Sequence, residues 1–184
     1  MIAMSRPKPV IDCEDFVLRR WRLQEDFQTL FQLIEESLHH LQPWMPWVAG
    51  HSQQATSDFL ARCDPEWRAG QAYHYAISDA GKLVGSCSLF RIADTRGREM
   101  GYWLHPAATG RGLATRAAAA MTKEAFALPG VEYVQIVHDL ANTASEAVPR
   151  RLGFTQVGYK PGEQPLASCE SGTDAVWQLY LAGP

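Results

Sequence analysis

Between Tyr73 and Leu128 the chain holds three alternating segments, two tight turns, a glycine-marked loop and an alanine-rich run. Tyr73–Ser78 (YHYAIS) alternates, and Asp79-Ala80-Gly81-Lys82 turns the chain into Leu83–Ile92 (LVGSCSLFRI). A second turn, Asp94-Thr95-Arg96-Gly97, leads to Glu99–Leu104 (EMGYWL). Strands joined so tightly are expected to pair as an antiparallel meander. His105-Pro106-Ala107-Ala108-Thr109-Gly110-Arg111-Gly112 follows, and then a helix to about Leu128 with Leu113, Ala117, Ala120, Met121 and Phe126 as its buried stripe. Pro129-Gly130 stops it.

The flanks complete one sheet. Phe16–Trp21 reads as the first strand. Phe27, Leu30, Phe31, Ile34 and Leu38 recur at helical spacing over 24–40, and the helix is expected to end before Pro43. Two prolines keep Leu41–Trp47 (LQPWMPW) out of regular structure, and a second helix runs from about Gln53 to Ala69 with Gly70 as its stop. Val131–His138 is a strand, about 142–152 a short helix, and a strand runs from Phe154 to Tyr159. A long loop over 160–173 precedes the last strand, Ala175–Leu181. The order predicts an α/β (α+β) fold: a central mixed, largely antiparallel sheet flanked by helices. Residues 1–12 read as a flexible N-terminal tail and 13–184 as a single domain.

Composition narrows the function. At 46% hydrophobic and 20% charged residues the chain resembles ordinary globular proteins. A net charge of −3 argues against a nucleic-acid binder. No apolar run is long enough to span a membrane, and the start lacks a secretory h-region. Cys13, Cys63, Cys87 and Cys169 are widely spaced with no CxxC. No metal site is expected, and the reducing cytoplasm is the expected compartment.

Gly110-Arg111-Gly112 at a helix start is the strongest chemical signal. Free N–H groups and the positive end of the helix dipole favour phosphate there, with Leu113, small Ala114 and Thr115 leaving room. The glycines could equally serve only to shape the turn. GxxxxGK[ST] is absent, and a dinucleotide fingerprint would need Gly or Ala where Thr115 stands.

The segments LQPWMPW, EMGYWLHP, ATGRGLATRAA and NTASEAVPRRLGF occur in an order and spacing that resemble the GNAT superfamily of acyl-CoA-dependent N-acyltransferases. The likeness is to its RimJ/RimL branch, which acetylates ribosomal-protein N-termini and various small amines, and it runs from about Phe16 to Leu181. It implies acetyl-CoA as acyl donor, with the pyrophosphate on the backbone of Thr109, Gly110, Arg111, Gly112, Leu113, Ala114 and Thr115. Ala107 stands where the family has Gln or Arg; Arg111 and Arg116 are close enough in sequence to compensate. The pantetheine arm is expected along Trp103, Leu104 and His105, with Asn142 as a further contact or as a plain helix N-cap. Trp44, Met45 and Trp47 are expected on the acceptor side, with a core plug or dimer contact as the alternative.

Pro149 stands where many members of the superfamily have a thiolate-protonating tyrosine; the resemblance to the RimL branch implies Ser145 as the candidate acid, with a plain backbone bond in the first helical turn as the alternative. Pro149 also strips the Ser145 carbonyl of its helical donor, and nothing in the sequence offsets that. The resemblance implies Glu99 as the candidate base, acting through water, with a solvated strand-end carboxylate as the alternative; His74, His105 and His138 stand in reserve, though lone strand histidines are more often structural. The implied reaction is direct attack of a neutral amine on the thioester, with the oxyanion held by backbone N–H groups of EMGYWL. Deprotonating an α-amine at pH 7 costs about 1 kcal/mol and a lysine about 4.6 kcal/mol, which favours an α-amine. A protein N-terminus is the expected acceptor. The alternatives are a small amine such as an antibiotic or toxin, a longer donor such as succinyl-CoA, or a non-catalytic CoA-binding module. Relatives in this branch are often homodimers.

Overall fold

The computed structural model describes residues 6–181. Eight strands form one sheet: β1 (Val10–Asp12), β2 (Phe16–Arg20), β3 (Ala72–Asp79), β4 (Lys82–Arg91), β5 (Gly97–Leu104), β6 (Tyr133–Asp139), β7 (Thr155–Pro161) and β8 (Thr173–Tyr180). Their spatial order is β1-β2-β3-β4-β5-β6-β8-β7. Every pairing is antiparallel except β5 with β6. The helices are α1 (Leu23–Leu41), α2 (Gln53–Ala69), α3 (Leu113–Phe126) and α4 (Thr143–Arg151).

The predicted meander is β3-β4-β5, and α3 is the crossover that makes β6 parallel to β5. Its buried stripe is Leu113, Ala117, Ala118, Met121 and Ala125; Ala120 and Phe126 only flank it. These pack on Tyr75, Cys87, Leu89, Met100 and Val134 of the sheet. α1 and α2 cover the other face through Leu30, Ile34, Leu60 and Cys63, against Trp21 and Ala76. The predicted stop of α2 operates, with Gly70 closing the helix at φ 68°, and at the other end Ser52 Oγ accepts the Ala55 N–H at 3.1 Å.

Three expectations need correction. Residues 10–12 are not tail but strand β1, paired with Val17–Arg19. Ahead of them, the Lys8 N–H donates to Glu124 and its carbonyl accepts the Tyr75 hydroxyl at 2.6 Å, so the chain is tied down by buried partners that short-range patterning does not reveal. Residues 1–5 of that expected tail lie outside the described residues. Leu41–Trp47 is not wholly irregular, because Pro46 opens a 3₁₀ turn, Pro46–Gly50, at the one position where its missing N–H costs nothing. The loop expected over 160–173 is shorter, since β7 runs to Pro161 and β8 starts at Thr173.

Candidate active site

The site begins where β5 and β6 part. They pair only over Gly97–Met100 and Tyr133–Ile136. Beyond Met100, β5 remains bonded to β4 alone. The His105 N–H donates to the Val84 carbonyl at 2.7 Å, so by alternation Trp103 also directs its backbone toward β4. The N–H and C=O groups of Tyr102 and Leu104 therefore face the gap. Of Trp103, Leu104 and His105, only Leu104 has the backbone orientation expected of a pantetheine partner. Tyr102, absent from that set, has it too.

At the mouth of the gap, α3 presents an open N-terminus. Its first bond is from Arg116 N–H to Gly112 C=O at 3.0 Å, which leaves the N–H groups of Leu113, Ala114 and Thr115 without helical partners. Gly112 is the N-cap and supplies no side chain. Gly110 and Gly112 both lie at φ 74°, and an added Cβ on either would meet nothing within 4 Å. Conformation rather than space explains these glycines. Thr109 Oγ1 donates to the Pro106 carbonyl at 2.8 Å and stiffens the approach. The side chains expected to compensate for Ala107 are already engaged: Arg111 pairs with Asp79 at 2.5 Å, and Arg116 Nη2 lies 3.0 Å from Asp15. The donors this loop leaves free are therefore backbone N–H groups.

A cavity of about 510 Å³ runs from this gap to the α1/α2 face of the sheet. Asn142, Ser145 and Tyr102 line it, as do Glu99, Trp103, Trp44, Met45 and Trp47. Trp47 is half exposed and tilts against Trp103 with ring centroids 6.1 Å apart. Asn142 is the N-cap of α4, its Oδ1 accepting the Ser145 N–H at 3.1 Å. Glu99 accepts from Gln135 Nε2 at 2.6 Å, and Gln135 accepts in turn from Gln178 at 3.3 Å.

Tyr102 answers the question posed by Pro149. Its hydroxyl donates to the Ser145 carbonyl at 3.2 Å, supplying the donor that Pro149 lacks. The Ser145 hydroxyl lies 3.5 Å from the same phenol oxygen. Burial pushes the Tyr102 phenol well above its ordinary range, so it stays protonated. Sequence reasoning missed this residue because period 2 assigns it to the core face with Met100; the parting of the strands is what exposes it.

The reserve histidines are all occupied. His138 Nδ1 donates to the Asp139 carbonyl at 2.8 Å and its Nε2 accepts the Trp177 indole N–H at 3.0 Å. His105 Nδ1 accepts the Ala107 N–H at 3.2 Å. His74 lies between Ser88 and Glu66, 2.8 Å from each. Asp139 orders the far wall: burial pushes its carboxyl up, but bonds from Ser171, Ala141 and Gly172 together hold it below the usual carboxylate range. Among the described residues no group of three or more His, Cys, Asp or Glu is placed to hold a metal ion, and no helix is long and apolar enough to cross a membrane.

A sheet opened at its parallel pair, with free backbone donors beside it and an open helix N-terminus below, defines an enzyme that transfers a group from a long phosphorylated carrier. Residues 15–155 match the acetyltransferase (GNAT) domain family, and the chain belongs to it. It is therefore an acetyl-CoA-dependent N-acetyltransferase. The chain is 29% identical over 139 residues to YdaF of Bacillus subtilis (strain 168), provisionally named as a ribosomal N-acetyltransferase, covering 73% of this chain and 75% of that one. Its fold matches RimL, the ribosomal L7/L12 α-N-protein acetyltransferase, in complex with coenzyme A: TM-score 0.84, 22% identity, 94% and 98% of the two chains. The microcin C7 self-immunity acetyltransferase MccE, in complex with acetyl-CoA and AMP, superposes with TM-score 0.82 at 19% identity over 91% and 93%.

Proposed function

We propose that the protein acetylates the free α-amine of a protein N-terminus of the ribosomal-protein kind. The carrying observation is the cavity, which Asn142, Ser145 and Glu99 share with an aromatic end that reaches solvent at half-exposed Trp47. A peptide terminus can enter from that end while its chain stays outside. The likenesses to YdaF and RimL support the same acceptor. A small amine is the second reading, favoured by the likeness to MccE.

In this reading the N–H groups of Leu113, Ala114 and Thr115 hold the pyrophosphate, and the gap-facing backbone of Tyr102 and Leu104 pairs with the pantetheine arm. The donor supplies an acetyl thioester at that edge. The Leu104 N–H polarises its carbonyl oxygen. Glu99 faces the acceptor ammonium, and Ser145, on the α4 side, returns a proton to the departing thiolate. The thiol's ordinary pKa near 8.5 makes it a fair leaving group, so this acid help is small. Four unpaired cysteines accord with a cytoplasmic protein, and a homodimer is the proposed assembly.

Calorimetry with acetyl-CoA, succinyl-CoA and NAD tests the donor side; binding of acetyl-CoA and none of NAD is expected. Turnover of peptides with free N-termini against a panel of small amines tests the acceptor. Activity confined to the small amines would replace the first reading with the second. A light-scattering mass in solution checks the dimer.

A further inference from the structure

Glu66, His74 and Ser88 form a hydrogen-bonded row across the α1/α2 face of the sheet. His74 and Ser88 are cross-strand partners on β3 and β4, and both are at least nine-tenths buried. A carboxylate only accepts, so His74 Nε2–H donates to Glu66 Oε2 at 2.8 Å, and Nδ1 accepts the Ser88 hydroxyl at 2.8 Å. The row has two different ends. Glu66, on α2, is partly exposed to solvent. Ser88 lines the cavity, and so does its partner on β5, Gly101, where an added Cβ would meet the Phe90 ring at 3.4 Å.

The remaining surroundings of His74 are apolar or few in charge. Phe59 and Phe90 stand edge-on to the ring at 5.1 and 5.5 Å. Arg62 and Glu66 of α2 are the charged groups acting on it, and Glu99 of β5 shares the cavity wall. Burial pushes the imidazole below its ordinary range, against the pull of Glu66, so the resting ring is neutral and able to accept a proton. A network that served only to hold α2 on the sheet would gain little over apolar residues of similar volume.

The geometry points to Ser88–His74–Glu66 as the route by which the acceptor ammonium loses its proton, with Glu99 holding the charge of the incoming ammonium rather than removing it. The inference rests on the acetyltransferase reading of the cavity. One N–H bond of the ammonium breaks; Ser88 Oγ gains that proton and passes its own to His74 Nδ1. The products are a neutral amine and an imidazolium paired with the Glu66 carboxylate. The imidazolium releases the proton to water, through Glu66 at the surface or through the cavity once product has left. Ser88 is the residue that touches the acceptor; His74 and Glu66 act through it.

The test is the pH dependence of kcat/KM for an α-amine peptide with wild type, Ser88→Ala, Glu66→Gln and Glu99→Gln. Ser88→Ala is expected to lose roughly 10- to 100-fold at pH 7 and to recover to within about threefold near pH 9.5, where the amine is already neutral. Glu66→Gln is expected to show the same tilt more weakly. Glu99→Gln is expected to raise the acceptor KM with the profile unmoved. Acetyl-CoA affinity, read by calorimetry, is expected to stay unchanged in all of them. A Ser88→Ala loss equal at every pH, or absent, overturns the relay, as does a tilt produced by Glu99→Gln alone. An acetylated enzyme trapped on Ser88 in wild type also overturns it, because the serine would then be a nucleophile. Turnover of small amines only would overturn the N-terminal acceptor while leaving the relay to be scored on those amines; turnover of none would overturn both.

Discussion

Pro149 and Tyr102 make a quantitative prediction. Pro149 sits inside α4 with no N–H for the Ser145 carbonyl, and the Tyr102 hydroxyl supplies one at 3.2 Å. Tyr102→Phe leaves that carbonyl without the donor, in a region where water has limited access. The loss of a bond of this kind with one partner stranded costs about 1–2 kcal/mol. Pro149→Ala restores a backbone N–H in helical register, while losing packing from a fully buried ring. In the Pro149→Ala background the carbonyl keeps a partner whether or not the phenol is present. Tyr102→Phe is then expected to cost about 1 kcal/mol less than it does alone. Urea unfolding of the four proteins measures this coupling directly, provided the slopes agree. Losses additive to within about 0.3–0.5 kcal/mol would refute the exchange of donors.

The other predictions follow from the cavity walls and from the start of α3. Trp44→Ala and Trp47→Ala are expected to raise acceptor KM several-fold and leave acetyl-CoA affinity intact by calorimetry; loss of folding instead would make LQPWMPW a core plug. Gly112→Ala forces a Cβ onto a φ of 74°, and about 1 kcal/mol of stability is expected to go with it, read as a lower thermal midpoint along with weaker acetyl-CoA binding. Asp139 is held below its unfolded pKa, so its contribution is present above pH 4 and is lost as pH falls through the folded value. Asp139→Asn is therefore expected to flatten the acid side of a stability–pH curve, and an unchanged curve would refute the assignment.

Much of this was legible in the sequence, and the reasons are specific. Ser52 and Gly70 bound α2 at both ends because capping is local chemistry. The turns at Asp79–Lys82 and Asp94–Gly97 set the meander for the same reason. What was missed depends on distant partners. β1 is too short to show alternation and exists because Val17–Arg19 offers it an edge. Arg111 and Arg116 stand close enough in sequence to compensate for Ala107, but Asp79 and Asp15, far away in sequence, pair with them. Glu66, His74 and Ser88 come from α2, β3 and β4, and only the β3–β4 register, shifted by the bulge at Ile77/Ser78, sets His74 opposite Ser88.

The site follows from a single reversal of direction in an otherwise antiparallel sheet. A hairpin turn would have continued the meander, but the loop 105–112 and helix α3 carry the chain back across the sheet, so that β6 enters parallel to β5. The crossover has three consequences at once. It opens the start of α3, with three unpartnered N–H groups, below the ends of the two strands. It limits their pairing to four residues on each strand, because β6 then follows β8 while β5 follows β4. It leaves Tyr102 and Leu104 with backbone groups that no strand takes up, beside Ser145 on one side and Glu99 on the other. Three free backbone N–H groups, a bare strand edge and two polar side chains therefore have one structural cause. A substitution that lengthened the β5–β6 pairing beyond Met100 would remove the site without touching any residue that contacts substrate.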